Sequence, residues 1–211
     1  EETANYAQGY FVLDSRKAGS YTVSHLRFGP RPIRSAYRIG RASFVACHQP
    51  QFLDRYEMAE LLQPGGTFLL NAPWPESEVW SRLPGEVQDV LRERGATLYA
   101  IDAQRVAEEA GLGRYISSVM QTCFFALSGV LPRDLALTRI RQAVEKTYGK
   151  RGGEVVRRNL AAIDRTLENL RHVTIPAVAA SQDLTAHRRP PAVPRGAPDF
   201  VQRVTALMIA G

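Results

Sequence analysis

Apolar positions follow two different rhythms along this chain. Near its start, Gly9-Tyr10-Phe11-Val12-Leu13-Asp14 and Tyr21-Thr22-Val23-Ser24-His25-Leu26 are short and rich in β-formers, the composition of strands. The junction Ser15-Arg16-Lys17-Ala18-Gly19-Ser20 is small, polar and glycine-bearing, which predicts a connecting turn. From residue 43 strand and helix signals alternate. Residues 43–47 predict a strand, and 51–62 a helix with Phe52, Tyr56 and Leu61/Leu62 on one face. Pro64-Gly65-Gly66 predicts a break before a strand over 67–71. Residues 77–94 predict two helical pieces divided at Pro84, with Val87, Val90 and Leu91 sharing a face and Gly95 as the stop. A strand over 97–101 follows, then Asp102 as the N-cap of a helix ending before Gly111. Continuous apolar strands joined by helices predict an α/β fold, with a mostly parallel sheet covered by helices on both faces.

The second half reads as helical. Residues 115–130 are apolar nearly all round, as a buried helix would be. Leu137, Ile140, Val144 and Tyr148 recur at steps of three and four up to Gly149, and Val156, Leu160, Ile163, Leu167 and Leu170 form a stripe over 153–171. These signals place an α/β domain at 1–173. Prolines at 176, 190, 191, 194 and 198 mark 174–198 as an extended linker outside the core. Residues 199–211 regain apolar character and read as the start of a further element. No internal repeat is visible.

Composition narrows the function classes. At 211 residues with 45% hydrophobic and 23% charged, the chain can bury one sizeable core, which excludes a collagenous or disordered chain. The net charge of +6 suits an anionic partner without choosing one. The basic residues are scattered and no aromatic-plus-basic strand motif appears, so nucleic acid is not expected as a partner. Two cysteines cannot build a secreted disulfide framework, nor the four-thiolate ligand set of an iron–sulfur cluster. No apolar run reaches the roughly 18 residues of a membrane span, and no signal peptide opens the sequence. The expectation is a cytoplasmic chain, and Glu1 in place of Met reads as a piece of something longer.

Candidate chemistry lies in two places. In an open parallel sheet, ligands bind beyond the carboxyl ends of the strands. That rule selects His48 and Gln49, Asn71, and Asp102, each directly after a strand. The competing reading is that Asp102 only caps its helix and Asn71 only makes a turn. The second place is the basic turn. Ser15, Arg16, Lys17 and Ser20 combine cations, hydroxyls and exposed backbone in a reasonable phosphate cradle, with Arg27, Arg31 and Arg34 soon after. Basic turns are also common as merely solvated features. Cys47 and His48 are adjacent, but neighbours on a strand point to opposite faces, which argues against a nucleophile–base pair. The four histidines show no paired metal-ligand spacing, and no P-loop or Gly-x-Gly-x-x-Gly fingerprint is present. No residue is selected as a catalytic acid, base or nucleophile, and none as a metal ligand.

The run from Gly9 through Asp14, Ser15-Arg16-Lys17 and His25-Leu26-Arg27-Phe28-Gly29-Pro30 resembles the gamma domain of pyruvate:ferredoxin (or flavodoxin) oxidoreductases. The same register continues through Phe44-Val45-Ala46-Cys47-His48-Gln49, Pro64-Gly65-Gly66-Thr67-Phe68-Leu69-Leu70-Asn71 and Met120-Gln121-Thr122-Cys123-Phe124-Phe125, and on to Lys146-Thr147-Tyr148-Gly149-Lys150. The resemblance implies part of an enzyme that oxidatively decarboxylates pyruvate to acetyl-coenzyme A. Thiamine diphosphate with Mg and 4Fe-4S clusters would be held by other domains of the same polypeptide, none by this one. Ferredoxin or flavodoxin would take the electrons, and the whole enzyme would be a homodimer. The gamma domain is associated with coenzyme A and with assembly, so the resemblance makes Ser15, Arg16, Lys17, Ser20 and Arg27 candidates for its phosphates. This chain departs from the family in having Arg16-Lys17 where two lysines are common, Ser117 where Asn is common and Tyr115 where Arg is common. Two other readings stand beside this one: the gamma part of another 2-oxoacid oxidoreductase, and a purely structural module that binds no ligand.

Overall fold

Strands β1 (Tyr6–Leu13) and β2 (Thr22–Gly29) pair antiparallel as a two-stranded sheet, with Tyr10 opposite His25 and Val12 opposite Val23. A computed structural model describes residues 5–13, 21–177 and 187–210. It divides into two compact units, Glu1–Gly40 and Arg41–Gly211. In the first unit the alternation of strand side chains sets two faces. One carries Tyr10, His25 and Arg27, and the other leaves Phe11, Leu13 and Leu26 exposed.

The second unit is built on a four-stranded sheet in the order β3 (Ala42–Cys47), β4 (Leu62–Asn71), β5 (Thr97–Ile101), β6 (Arg171–Val173). β3, β4 and β5 run parallel, and β6 pairs antiparallel with β5. The mostly parallel α/β architecture read from the sequence is therefore the observed one, with an antiparallel edge strand added. Both faces of the sheet are covered, and successive residues serve opposite cores. Phe68, Leu70 and Leu98 join Val79, Val87 and Leu91 on one side. Leu69 and Ile101 join Val106, Val119, Cys123 and Ala162 on the other. The first core is closed by α1 (Glu76–Arg82) and α2 (Gly85–Glu93), the second by α3 (Ala103–Glu109), α4 (Ser117–Leu127) and α6 (Gly153–Asn169). Helix α5 (Arg133–Tyr148) lays Ile140 and Val144 against Ile163 of α6. Buried Asn159 accepts from Ser118 Oγ (2.6 Å) and donates to Val155 O (2.8 Å), tying α6 to α4 with its polar groups satisfied.

Three details differ from the sequence reading. Residues 51–62 are not one helix but two 3-10 turns, Pro50–Asp54 and Met58–Leu61. The residues that reach the core here are Leu53, Ala59 and Leu62, and steps of six and three do not keep one face of a 3.6-residue helix. Pro64-Gly65-Gly66 does not separate elements either. β4 starts at Leu62, already opposite Ala42, and the extra residues form a bulge before Thr67 pairs with Phe44. Gly65 takes φ +72 there, and a Cβ on Gly66 would sit 2.8 Å from Leu62 and 2.9 Å from Gln63 O. Finally, α6 ends at Asn169 and 171–173 is the edge strand β6, too short for alternation to reveal. Among the described residues no helix is long and apolar enough to cross a membrane.

Candidate functional site

The carboxyl ends of β3 and β4 bring two of the four predicted edge residues, His48 and Asn71, into direct hydrogen-bond contact. Asn71 closes β4. Its Nδ2 donates to His48 O (2.9 Å) after β3, and its Oδ1 accepts from Ala103 N (2.8 Å), the first residue of α3. The N–H groups of a first helical turn have no partner inside the helix. Asn71 therefore spends its amide on one such orphan and on the neighbouring strand end. Asp102 accepts from Arg105 N (3.0 Å), the N-cap bond expected of it. Both carboxamide and carboxylate are thus committed to bracing the edge. His48 and Gln49 are exposed; Gln49 Oε1 accepts from Gln51 (2.6 Å), and no hydrogen bond or ion pair to the His48 imidazole is found among the described residues. An open crevice of about 950 Å³ lies beside Asp102, lined by Trp74, Trp80, Arg105, Asn169 and Arg171. His48, Gln49 and Asn71 do not line it.

Removing the brace has a measurable cost. Asn71→Ala removes two hydrogen bonds, one exposed and one half-buried, which costs about 0.5–1.5 kcal/mol. Urea unfolding should show a lower midpoint with an unchanged slope; an unchanged midpoint would mean that the edge does not depend on Asn71.

Cys47 and His48 diverge as strand neighbours should. Cys47 is 1% exposed, its thiol donates to Gln49 O (3.0 Å), and burial pushes its pKa up to about 12. Burial does the same to Cys123. Neither thiol is available as a thiolate near neutral pH, so neither is an activated nucleophile. Among the described residues no three His, Cys, Asp or Glu side chains converge as a metal site requires. Two buried thiols on separate elements do not fit an iron–sulfur cluster.

In the first unit, Arg27 is held by neutral groups. It donates to Gln8 Oε1 (3.2 Å) and Tyr37 O (2.5 Å), and its guanidinium lies 4.9 Å from the centre of the Tyr37 ring. Tyr10 stacks on His25 (4.6 Å between rings, 5° between planes) and donates to Tyr37 O (3.4 Å), while accepting from Ile39 N (2.9 Å). Between Ser15 and Leu53 every Asp and Glu is absent, and the charged side chains are all Arg or Lys. Arg27 has no carboxylate partner among the described residues. Ser15, Arg16, Lys17 and Ser20 lie outside the described residues. Sequence reasoning selected Arg27 but missed Tyr10, His25 and Tyr37, because their association depends on strand register. The cross-strand alignment of two aromatic rings was the available signal.

Burial, then Arg27 and Arg38, hold the His25 imidazole below the ordinary 6.5. A depressed histidine favours the neutral form in the folded state. It leaves stability unchanged above the unfolded pKa and removes it as pH falls below 6.5 toward the folded value. The His25 ring resonances should therefore titrate below those of a free histidine, and amide protection in β1 and β2 should decline on acidification through that window. Titration above 6.5 would contradict this.

A family model for pyruvate ferredoxin/flavodoxin oxidoreductase matches residues 2–169. The chain is 52% identical over 206 residues, 98% of its length, to a pyruvate-flavodoxin oxidoreductase of Rhodospirillum rubrum. It is 44% identical over 204 residues, 97% of its length, to a pyruvate:ferredoxin oxidoreductase of Moorella thermoacetica. The chain spans 17% of the length of each of these relatives. Among solved structures, the pyruvate oxidoreductase subunit PORC of Thermotoga maritima shares the fold, with a TM-score of 0.57 and 18% identity over 81% of this chain and 83% of that one.

Proposed function

The chain belongs to the pyruvate ferredoxin/flavodoxin oxidoreductase family, and from that premise we propose that it is the gamma-type domain of such an enzyme, holding coenzyme A for a reaction centre in companion domains. The observation that carries this reading is the acid-free stretch from Ser15 to Leu53, in which Arg27 pairs with no carboxylate among the described residues. Coenzyme A is a polyanion, with a pyrophosphate and a 3′-phosphate. Ser15, Arg16, Lys17 and Ser20 would meet those phosphates, and Arg27 would add positive potential from β2. Arg16 can grip a phosphate with two parallel N–H bonds, where a lysine offers a point charge.

The contribution to catalysis is positional. Holding the acceptor thiol near the reacting carbon turns a two-body encounter into a local step. Decarboxylation of pyruvate on thiamine diphosphate, and transfer of electrons to ferredoxin or flavodoxin, are assigned to other parts of a homodimeric enzyme. The two cysteines of this chain are too few for a four-thiolate cluster. Free cysteines suit a reducing compartment, and we place the enzyme in the cytoplasm.

A purely structural role is the second reading. It is favoured by the commitment of Asn71 and Asp102 to bracing, and by an exposed apolar stripe of Phe200, Val204 and Leu207 beside Met208, which suits packing against a neighbour. The test of the activity is turnover by the full-length enzyme. Pyruvate-driven reduction of flavodoxin or ferredoxin should require coenzyme A. Preference for 2-oxoglutarate would place the chain with another 2-oxoacid, and no dependence on coenzyme A would overturn the reading.

A further inference from the structure

After β6 the described residues touch the α/β unit at two places. Arg92 Nε of α2 donates to Pro176 O (3.2 Å). Beyond residues 178–186, His187-Arg188-Arg189 lies against α2 and the turn Pro50–Asp54. Two of the contacts satisfy backbone groups that the fold itself leaves over. His187 O accepts from Gly85 N (3.0 Å), the first residue of α2, whose N–H has no acceptor within the helix. Arg189 Nε donates to Leu53 O (2.6 Å) near the end of the 3-10 turn. The Arg189 side chain is only 16% exposed, an unusual depth for a cation in an extended tail.

Carboxylates surround the same three residues. His187 Nε2 lies 2.7 Å from Asp54, and Arg188 lies 3.6 Å from Glu86 and 4.0 Å from Asp89. Arg189 lies 4.0 Å from Glu57, and its backbone N–H donates to Glu86 (3.4 Å). A solvated linker would not gather four carboxylates around three consecutive basic residues and also fill two orphan backbone positions. We propose that Asp54, Glu57, Glu86 and Asp89 form a docking notch for the chain's own His187–Arg189 segment. This electrostatic latch anchors the chain beyond β6 at α2 and the turn Pro50–Asp54. The latch is independent of coenzyme A.

Trypsin reads the latch directly. No Lys or Arg lies between Arg171 and Arg188, so cleavage of the Arg188–Arg189 bond gives a unique product. A protease needs that backbone released from the notch, and when opening is fast the rate follows the population of the open form. In the full-length protein, Asp54→Asn, Glu57→Gln and Glu86→Gln together should speed this cleavage about tenfold at low salt. Raising NaCl to about 0.5 M should bring the unaltered protein toward the variant, since exposed ion pairs are screened, and leave the variant nearly unchanged. Exchange of the Gly85 amide should accelerate in parallel, while amides of β4 keep their protection. If cleavage and Gly85 exchange in the unaltered protein are insensitive to salt, the latch is overturned whether or not the variant folds. Equal rates in a folded variant and the unaltered protein overturn it as well.

Discussion

Alanine at both Arg16 and Lys17 is expected to raise the coenzyme A concentration for half-maximal turnover of the full-length enzyme about 10- to 50-fold. The turnover number at saturating coenzyme A should hardly change. Charge-assisted hydrogen bonds to phosphate are worth about 1.5–3 kcal/mol each, and solvent screening brings the pair to about 1.4–2.3 kcal/mol. The phosphates lie far from the thiol in coenzyme A and do not react. Their binding energy is therefore the same before and during reaction, so losing it raises KM and spares kcat. Added salt should narrow the difference between variant and unaltered enzyme. A KM within twofold of the original would favour the structural reading.

Phe68→Ala is expected to cost about 3–5 kcal/mol, a large fraction of the stability of a domain this size. Phe68 is fully buried in β4 and belongs to the core formed with Leu98 and with Val87 and Leu91 of α2. Truncation loses the transfer energy of the ring and leaves a void between layers that meet at fixed spacing. The two tryptophans, Trp74 and Trp80, pack on this same core, so their fluorescence follows its unfolding in urea. Phe11→Ala is the matched control: its ring is 68% exposed, and surface changes usually stay within about 0.5 kcal/mol. Similar losses from both substitutions would mean that Phe68 does not bear the load assigned to it.

How far the sequence discloses this structure depends on the range of the interactions. β5 appears where its apolar run predicts it, because a strand buried on both faces needs nothing but that run. Asp102 caps α3 as expected, since capping is a contact over three residues. The stripes Ile140/Val144 and Val156/Leu160/Ile163 also meet as their spacing implies. The failures are non-local. In 51–62 the helical spacing of Phe52, Tyr56 and Leu61 loses to burial of Leu53, Ala59 and Leu62 around the start of β4. At 64–66 the glycines mark a bulge inside a strand, a state that shares its composition with a chain break. The Tyr10–His25 stack requires a register between strands, and the contact of Arg189 with Leu53 joins residues 136 positions apart. At the site, the positions of His48, Asn71 and Asp102 at or just beyond the strand ends were legible. Their engagement was not, since the bond from Asn71 to Ala103 spans 32 positions.

The measurement that bears most directly on the account is calorimetric titration of the full-length protein with coenzyme A and with its dephospho analogue. Phosphate binding by Arg16 and Lys17 predicts binding of both, weaker for the dephospho form by about tenfold, with a gap that shrinks as salt rises. Equal affinity for the two ligands, or no heat of binding for either, would contradict it.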